Sequence, residues 1–319
     1  HGEELLSAQR IVFPGVGSFG SMMANLERKG FVTPLRQYLQ EGRPFLGICL
    51  GLQALFEGSE ESPDVPGLGF LRGTVRRFRP TIEAGQALSV PQIGWNGFRA
   101  EQPSVLFDGL RGDEKVYFVH SFHVVPEEEG VALTTTDYGY RYVSAIQRGA
   151  VLATQFHPEK SGQVGLRMLQ NFLRVTQPVL PPRVPERTAL ARRVIACLDV
   201  RANDAGDLVV TKGDQYDVRQ EGEVRNLGKP VELARRYYEE GSDEVTFLNI
   251  TGFRHFPLGD MPMLQVLERT SKDVFVPLTI GGGIRDYTDE TGRTWSALEV
   301  ASAYFRAGAD KVAMGSEAV

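Results

Sequence analysis

From Arg192 onward the chain repeats one pattern. A short apolar run such as "RVIACLDV" or "DEVTFLNI" is followed by an amphipathic stretch such as "PVELARRYYEEG" or "DMPMLQVLERT". "VFVPLTI" then leads through three glycines to "TWSALEVASAYFRAGA", and "DKVAMGS" comes after it. A continuous apolar run bounded by turn residues reads as a strand buried on both faces, and its amphipathic successor as a helix covering one of them. Parallel strands need crossover connections of this kind, so the repetition dictates an α/β architecture with a parallel sheet. It fits a doubly wound layer or part of a barrel. The 128 residues of 192–319 are about half of the ~250 of a (β/α)8 barrel, and four strands cannot close one.

Ahead of this repeat, "QPVLPPRVPERTALAR" holds four prolines and little periodicity, as a linker does. It divides the chain into a first domain at 1–176, a linker at 177–191 and a second domain at 192–319. In the first domain "RIVFPG", "RPFLGIC", "EKVYFVHSF" and "AVLATQF" read as strands, and Met22–Gln40, Gly51–Glu57 and Gly162–Val175 as helices. Strands mixed with helices again argue for α/β. The chain opens like the tail of a helix without a starting methionine and stops just after an apparent strand. It therefore reads as a fragment of a longer protein.

The totals exclude several classes of function. With 35 basic and 40 acidic residues the net charge is −5, which leaves no electrostatic footprint for nucleic acid or an anionic membrane. Any phosphate must be held locally by loops and helix ends. Two cysteines build no disulfide framework, which favours a reducing compartment. No apolar run approaches the roughly 18 residues of a membrane span, and no signal peptide is visible.

One of the two cysteines stands between glycines in Gly47-Ile48-Cys49-Leu50-Gly51. This has the form of a nucleophile elbow with sulfur in place of a hydroxyl, where small neighbours let a strand turn sharply into a helix. A cysteine at a helix N-terminus meets free backbone N–H groups that favour the thiolate. A base is available in "QFHPEKS", where His157 can take the thiol proton and Glu159 can orient the imidazole. The N–H of Leu50 is one oxyanion donor, and the glycine turn "FPGVGSFG" offers another through Gly15. "YFVHSF" ends a strand in polar groups able to hold an ammonium or a carboxylate; its His120 alone reads as a structural histidine.

Together "PGVGSFG", "GICLGLQALF", "YFVHSF" and "QFHPEKSG" resemble the class I, triad-type glutamine amidotransferases, and in detail the glutaminase of the imidazole glycerol phosphate synthase family. The likeness runs from about Gln9 to Val175. It implies that Cys49 attacks the side-chain amide of glutamine, that ammonia leaves, and that water releases glutamate from the thioester. It also implies that Gln53 and the Ser121–Phe122 backbone contact the glutamine. The first strand usual in such a domain is absent.

In the second domain "IACLDV" ends a strand with Asp199, where a parallel α/β sheet displays its active site. In "LTIGGGIR" the glycines Gly281, Gly282 and Gly283 let backbone N–H groups approach a phosphate, and Gly315 and Ser316 of "AMGSEAV" suit a second one. "VTKGDQYDVR" adds Lys212 near the first strand. These segments resemble the first half of the cyclase barrel of the same family, in the fused form found in eukaryotes. The resemblance implies an α/β fold in which a class I amidotransferase domain is linked to half of a (β/α)8 barrel. It also implies a phosphorylated nucleotide substrate, a phosphoribulosyl-formimino aminoimidazole carboxamide ribonucleotide. Ammonia converts that substrate to imidazole glycerol phosphate and aminoimidazole carboxamide ribonucleotide. Asp199 is then one acid/base, its partner lying in the absent half. Asn249 stands where many relatives carry aspartate, and the loop "RANDAGDLVV" is long. No cofactor or metal is implied, the two domains contact each other, and the setting is the cytoplasm, or the plastid in a plant.

Three strands begin with a charge: Arg193, Glu244 and Lys311. Asp199 lies six residues beyond Arg193, so at ~3.3 Å per residue these charges sit about 20 Å from it, at the opposite end of the strands. A solvated rim is the plain reading. The resemblance implies a gate for ammonia under the glutaminase, with Lys160 and Asp310 pairing across the domains. Two alternatives are a glutaminase serving another acceptor domain and an inactive interaction protein of the elbow-cysteine type.

Overall fold

The computed structural model describes residues 2–79, 82–83, 86–174, 191–203, 206–211, 219–220, 223–224, 227–251 and 257–315. The chain forms two compact units, His1–Arg192 and Arg193–Val319. The expected linker lies almost wholly outside the described residues, as do Lys212 and Ser316.

Unit 1 is built on a mixed sheet. Its strands include β1 (Ile11–Gly15), β2 (Phe45–Cys49), β3 (Gly58–Ser59), β4 (Gly73–Arg77), β5 (Gln92–Gly97), β6 (Lys115–His120), β7 (Phe122–Pro126), β8 (Ala132–Tyr138), β9 (Tyr140–Arg148) and β10 (Val151–Thr154). The main sheet runs β1-β2-β10-β9-β7-β4-β3, with β8 on β9, while β5 and β6 pair with each other. β2 is parallel to both neighbours, with Gly15 opposite Cys49 and Val151 opposite Phe45. All five residues of β2 are buried. Phe45 packs into one core with Phe19, Tyr38 and Leu52, and Leu46 and Ile48 into the other with Phe118, Phe156 and Phe172. Such a doubly covered strand has to read as a continuous apolar run.

The expected helix over Met22–Gln40 is two helices, α2 (Phe19–Arg28) and α3 (Val32–Gln40); α1 is Gly2–Ser7. Lys29 and Gly30 close α2 through backbone bonds to Asn25 and Glu27, and the chain turns there. The expected helix over Gly51–Glu57 shrinks to α4 (Leu50–Gln53). Its apolar continuation through Phe56 is a buried turn: Leu52, Ala54, Leu55 and Phe56 are all inaccessible to solvent, so their hydrophobicity carried no helical period. α5 covers Gly162–Leu173.

Unit 2 has a five-stranded sheet in the order β12-β11-β13-β14-β15, from β11 (Ile195–Ala202), β12 (Leu208–Thr211), β13 (Glu244–Asn249), β14 (Leu278–Gly281) and β15 (Lys311–Ala313). β11, β13, β14 and β15 are parallel, and β12 is an antiparallel hairpin partner of β11. Helices α6 (Pro230–Glu239), α7 (Pro262–Asp273) and α8 (Ala297–Arg306) alternate with the parallel strands. Leu198 and Val200 of β11 are buried, while Ile195 and Cys197, on the opposite face, are exposed. Helices cover one face of the sheet; the other is exposed along β11, while Glu244, Thr246 and Thr279 on that same face of β13 and β14 are buried.

Candidate active site

Cys49 is the hinge of the first site. It ends β2, begins α4, and holds φ 55° and ψ −104°, a left-handed backbone found at no other described non-glycine residue. A cysteine in this region is strained. Gly51 makes the turn feasible, since a β-carbon there would collide with the Phe13 carbonyl oxygen of β1. The β1–β2 register sets Gly15 beside Cys49, and Leu50 follows it as the first residue of α4.

His157 and Glu159 leave the end of β10 in a single 3-10 turn begun by Pro158. His157 Nδ1 and Glu159 Oε1 are 2.7 Å apart. Ser161 Oγ donates to the His157 carbonyl at 2.6 Å and accepts from Tyr117 N at 3.0 Å, which ties this turn to β6. Burial opposes charge on the imidazole, but attraction to Cys49 and the bond to Glu159 overcome it and raise the His157 pKa to about 10. Burial likewise opposes charge on Glu159, yet its bond to His157 and the nearby imidazolium hold the carboxyl below its ordinary range. His157 Nε2 makes no hydrogen bond of good geometry. Cys49 is the strongest influence favouring charge on the His157 imidazole.

Gln155 was not legible as a site residue. Fully buried, it donates from Nε2 to Cys49 Sγ at 3.5 Å and accepts from Gln53 Nε2 at 3.2 Å. Gln53 also donates to the Phe122 carbonyl at 3.4 Å. The structure thus brings Cys49, Gln53, Phe122, His157 and Glu159 together, with Ser121 adjoining Phe122 and bonded through its carbonyl to Phe78 N. The one signal for Gln155 was a polar residue at the end of an apolar strand.

In unit 2 the residues fall at two ends of one sheet. Asp199, Leu248, Gly281 and Ala313 share one register row across β11, β13, β14 and β15. Asp199, the Gly281–Gly283 turn and Gly315 are therefore together at the C-terminal ends of parallel strands. Gly282 has φ 85°, and a β-carbon there would strike the Asn249 carbonyl oxygen. Asn249 is buried and its Oδ1 accepts from Thr251 N at 3.2 Å, which gives its amide a structural role. At the other strand ends, Glu244 is buried between Arg193 Nε at 3.5 Å and Lys311 Nζ at 2.5 Å, and its Oε1 accepts from Thr279 Oγ1 at 2.7 Å. Asp310 accepts from Leu278 N at 2.8 Å. Among the described residues no group of three or more His, Cys, Asp or Glu side chains is placed to hold a metal ion, and no helix is long and apolar enough to cross a membrane.

A thiol at a strained strand–helix elbow, beside a charged imidazole backed by a carboxylate, defines an α/β enzyme of the triad amidotransferase class. Residues 3–175 match the family model for glutamine amidotransferase class-I, and the chain belongs to that family. Residues 193–319 match the model for histidine biosynthesis protein. The chain is 56% identical over 322 residues to "Imidazole glycerol phosphate synthase hisHF, chloroplastic" of Arabidopsis thaliana, covering 99% of this chain and 54% of that protein. It is 52% identical over 332 residues to "Imidazole glycerol phosphate synthase hisHF" of Schizosaccharomyces pombe, covering 99% and 60%. It is 51% identical over 166 residues to "Imidazole glycerol phosphate synthase subunit HisH" of Syntrophotalea carbinolica, covering 52% and 81%. The chain spans roughly half to three fifths of the length of the fused relatives.

Proposed function

We propose that the chain carries the glutaminase and the first half of the cyclase of an imidazole glycerol phosphate synthase acting in histidine biosynthesis. The observation that supports this most is the Cys49 elbow beside the His157–Glu159 pair at 2.7 Å. In this reading Cys49 sulfur attacks the side-chain amide carbon of glutamine. The developing oxyanion is met by backbone N–H groups of Leu50 and Gly15. The imidazolium of His157 gives its proton to the departing nitrogen, so ammonia leaves and a thioester remains. The neutral ring then takes a proton from water, whose oxygen attacks the thioester carbon, and glutamate and the thiolate are regenerated. Gln53 and the Ser121–Phe122 backbone hold the glutamine.

Ammonia passes through unit 2 to a phosphorylated nucleotide held at the opposite strand ends. Backbone N–H groups at Gly281, Gly282, Gly283, Gly315 and Ser316 hold its phosphates with Lys212, and Asp199 serves as one acid/base. Arg193, Glu244 and Lys311 form part of a gate at the entry end, and Lys160 and Asp310 pair between the domains. The setting is a reducing compartment, the cytoplasm or a plant plastid.

The test uses the complete protein with either glutamine or an ammonium salt as nitrogen source. Cys49→Ala should abolish glutamine-dependent synthesis and spare the ammonium-dependent reaction, whereas Asp199→Asn should reduce both. Equal loss of both activities in Cys49→Ala overturns this division of labour.

A further inference from the structure

Behind the strand end assigned to glutamine lies a line of buried uncharged side chains that the catalytic cycle does not use. His120 Nδ1 is 2.8 Å from the Phe122 carbonyl oxygen. His120 Nε2 is 3.3 Å from the Tyr142 hydroxyl, which is 2.8 Å from the side-chain amide of Gln92. Gln92 stands directly opposite His120 in the β5–β6 register. All three side chains are buried, with Gln92 wholly so. Phe78, Phe118 and Tyr142 wall the imidazole at ring separations of 5.1–5.7 Å.

Proton bookkeeping fixes the direction of this line. A carbonyl only accepts, so His120 must donate from Nδ1 to Phe122. Burial, with repulsion from the neighbouring histidines, lowers the His120 pKa to about 3, so the ring is neutral and its Nε2 is an acceptor. Among the described residues the Tyr142 hydroxyl is the group in hydrogen-bond reach of that nitrogen. Tyr142 has one hydrogen and Gln92 Oε1 is the amide atom that faces it at 2.8 Å, so a relay through Tyr142 to His120 requires the Gln92 amide turned over, with its nitrogen toward the hydroxyl. With the amide turned the other way that nitrogen is buried and unpartnered, and the two amide orientations are distinguished only by such a network. Every donor then points the same way: Gln92 to Tyr142, Tyr142 to His120, His120 to Phe122. Gln53 fills the second lone pair of the Phe122 carbonyl from the elbow helix.

We propose that Gln92, Tyr142 and His120 form a buried neutral relay that anchors the Phe122 carbonyl and so sets the strand end against which glutamine lies, His120 being a positioning residue. The proposal rests on the glutaminase reading above. A neutral relay suits this place because a second cation so near His157 would oppose the imidazolium that the site sustains. Phe122 is held from two sides, by α4 through Gln53 and by the relay through His120, so the backbone of Ser121 and Phe122 is set before substrate arrives.

The experiment measures KM and kcat for glutamine in the complete protein, with ammonium-driven synthesis and thermal unfolding as controls. Tyr142→Phe removes one hydroxyl, keeps the packing, and leaves His120 Nε2 without a donor. It should raise KM for glutamine about threefold to tenfold, the effect of one hydrogen bond, with kcat within twofold and ammonium-driven synthesis unchanged. His120→Leu should raise KM at least as much. His120→Asn keeps a donor at the Nδ1 position and should recover at least half of that loss, which a role in packing alone would not produce. If His120→Leu fails to fold, Tyr142→Phe and His120→Asn decide the matter. A stable Tyr142→Phe with wild-type KM overturns the relay, and so does an Asn variant no better than Leu. A wild-type protein that hydrolyses no glutamine overturns the glutaminase reading itself.

Discussion

Replacing Gly51 by alanine tests the elbow directly. Gly51 lies in α4 with an ordinary helical backbone, and in a helix the exchange of glycine for alanine normally stabilises by about 0.5–1 kcal/mol. Here the new methyl group meets the Phe13 carbonyl oxygen of the adjacent strand, well inside any contact real side chains make. Backbone on both sides is held by the β1–β2 ladder, where Phe13 pairs with Gly47. The elbow has to give by about 1 Å, a displacement that costs on the order of 10²-fold in rate when it moves a reacting group. Overpacking of this kind costs about 1–3 kcal/mol. In a unit of this size each kcal/mol lowers the melting temperature by roughly 2–4 °C.

The assay is thermal unfolding of the complete protein together with its glutamine-dependent and ammonium-dependent synthesis. The expected result is a lower melting temperature, glutamine-dependent synthesis reduced about a hundredfold and ammonium-dependent synthesis retained. Gly259→Ala is the control, since a β-carbon there meets nothing within 4 Å. A Gly51→Ala protein as stable as wild type, with glutamine-dependent synthesis within twofold, refutes the argument that contact with Phe13 shapes the elbow.

Three further outcomes follow from the same geometry. The His157 pKa is raised from its ordinary 6.5 to about 10, so its contribution to stability is complete below about pH 6.5 and is lost as the pH rises through about 10. The melting temperature of the wild type should therefore fall more steeply than that of His157→Asn between about pH 7 and 10, and parallel curves would contradict it. Gly282→Ala, which forces a side chain into a left-handed backbone against Asn249, should raise KM for the nucleotide substrate at least tenfold while glutamine hydrolysis persists; steady-state kinetics with the two substrates decides. Lys311→Ala should raise the glutamine consumed per product formed, and a ratio held at the wild-type value tells against the gate.

What the sequence disclosed was local. The elbow, the His157–Glu159 turn and the strand-end glycines each occupy a few consecutive residues whose types are dictated by backbone geometry, and such stretches can be read without a fold. The Gln53–Gln155–Cys49 cluster joins two separated segments, the elbow and the end of β10, so only the β2–β10 pairing reveals it. The antiparallel strands β8 and β9 were missed because their buried face is partly polar. Thr134, Thr136 and Ser144 are inaccessible and satisfy one another through hydroxyl bonds of 2.8 Å. Polar residues that find partners across a sheet erase the alternation by which a half-buried strand is recognised.

The charges at the strand starts of unit 2 show the limit of pattern reading from the other side. Arg193, Glu244 and Lys311 are spaced in the sequence as any solvated rim would be, and exposed ion pairs contribute little to stability. Glu244, however, is 3% exposed and has Thr279, Arg193 and Lys311 against its two oxygens. Burying a carboxylate is expensive, and a well-packed apolar residue in its place is often neutral or stabilising. A buried ion cluster of this kind is thus weak evidence for a role in stability. The three charges are held together at the strand ends away from Asp199 and the glycine turn, where the proposed gate would act. In that proposal a small neutral molecule moving along this face of the sheet toward Asp199 would begin its path at these three groups.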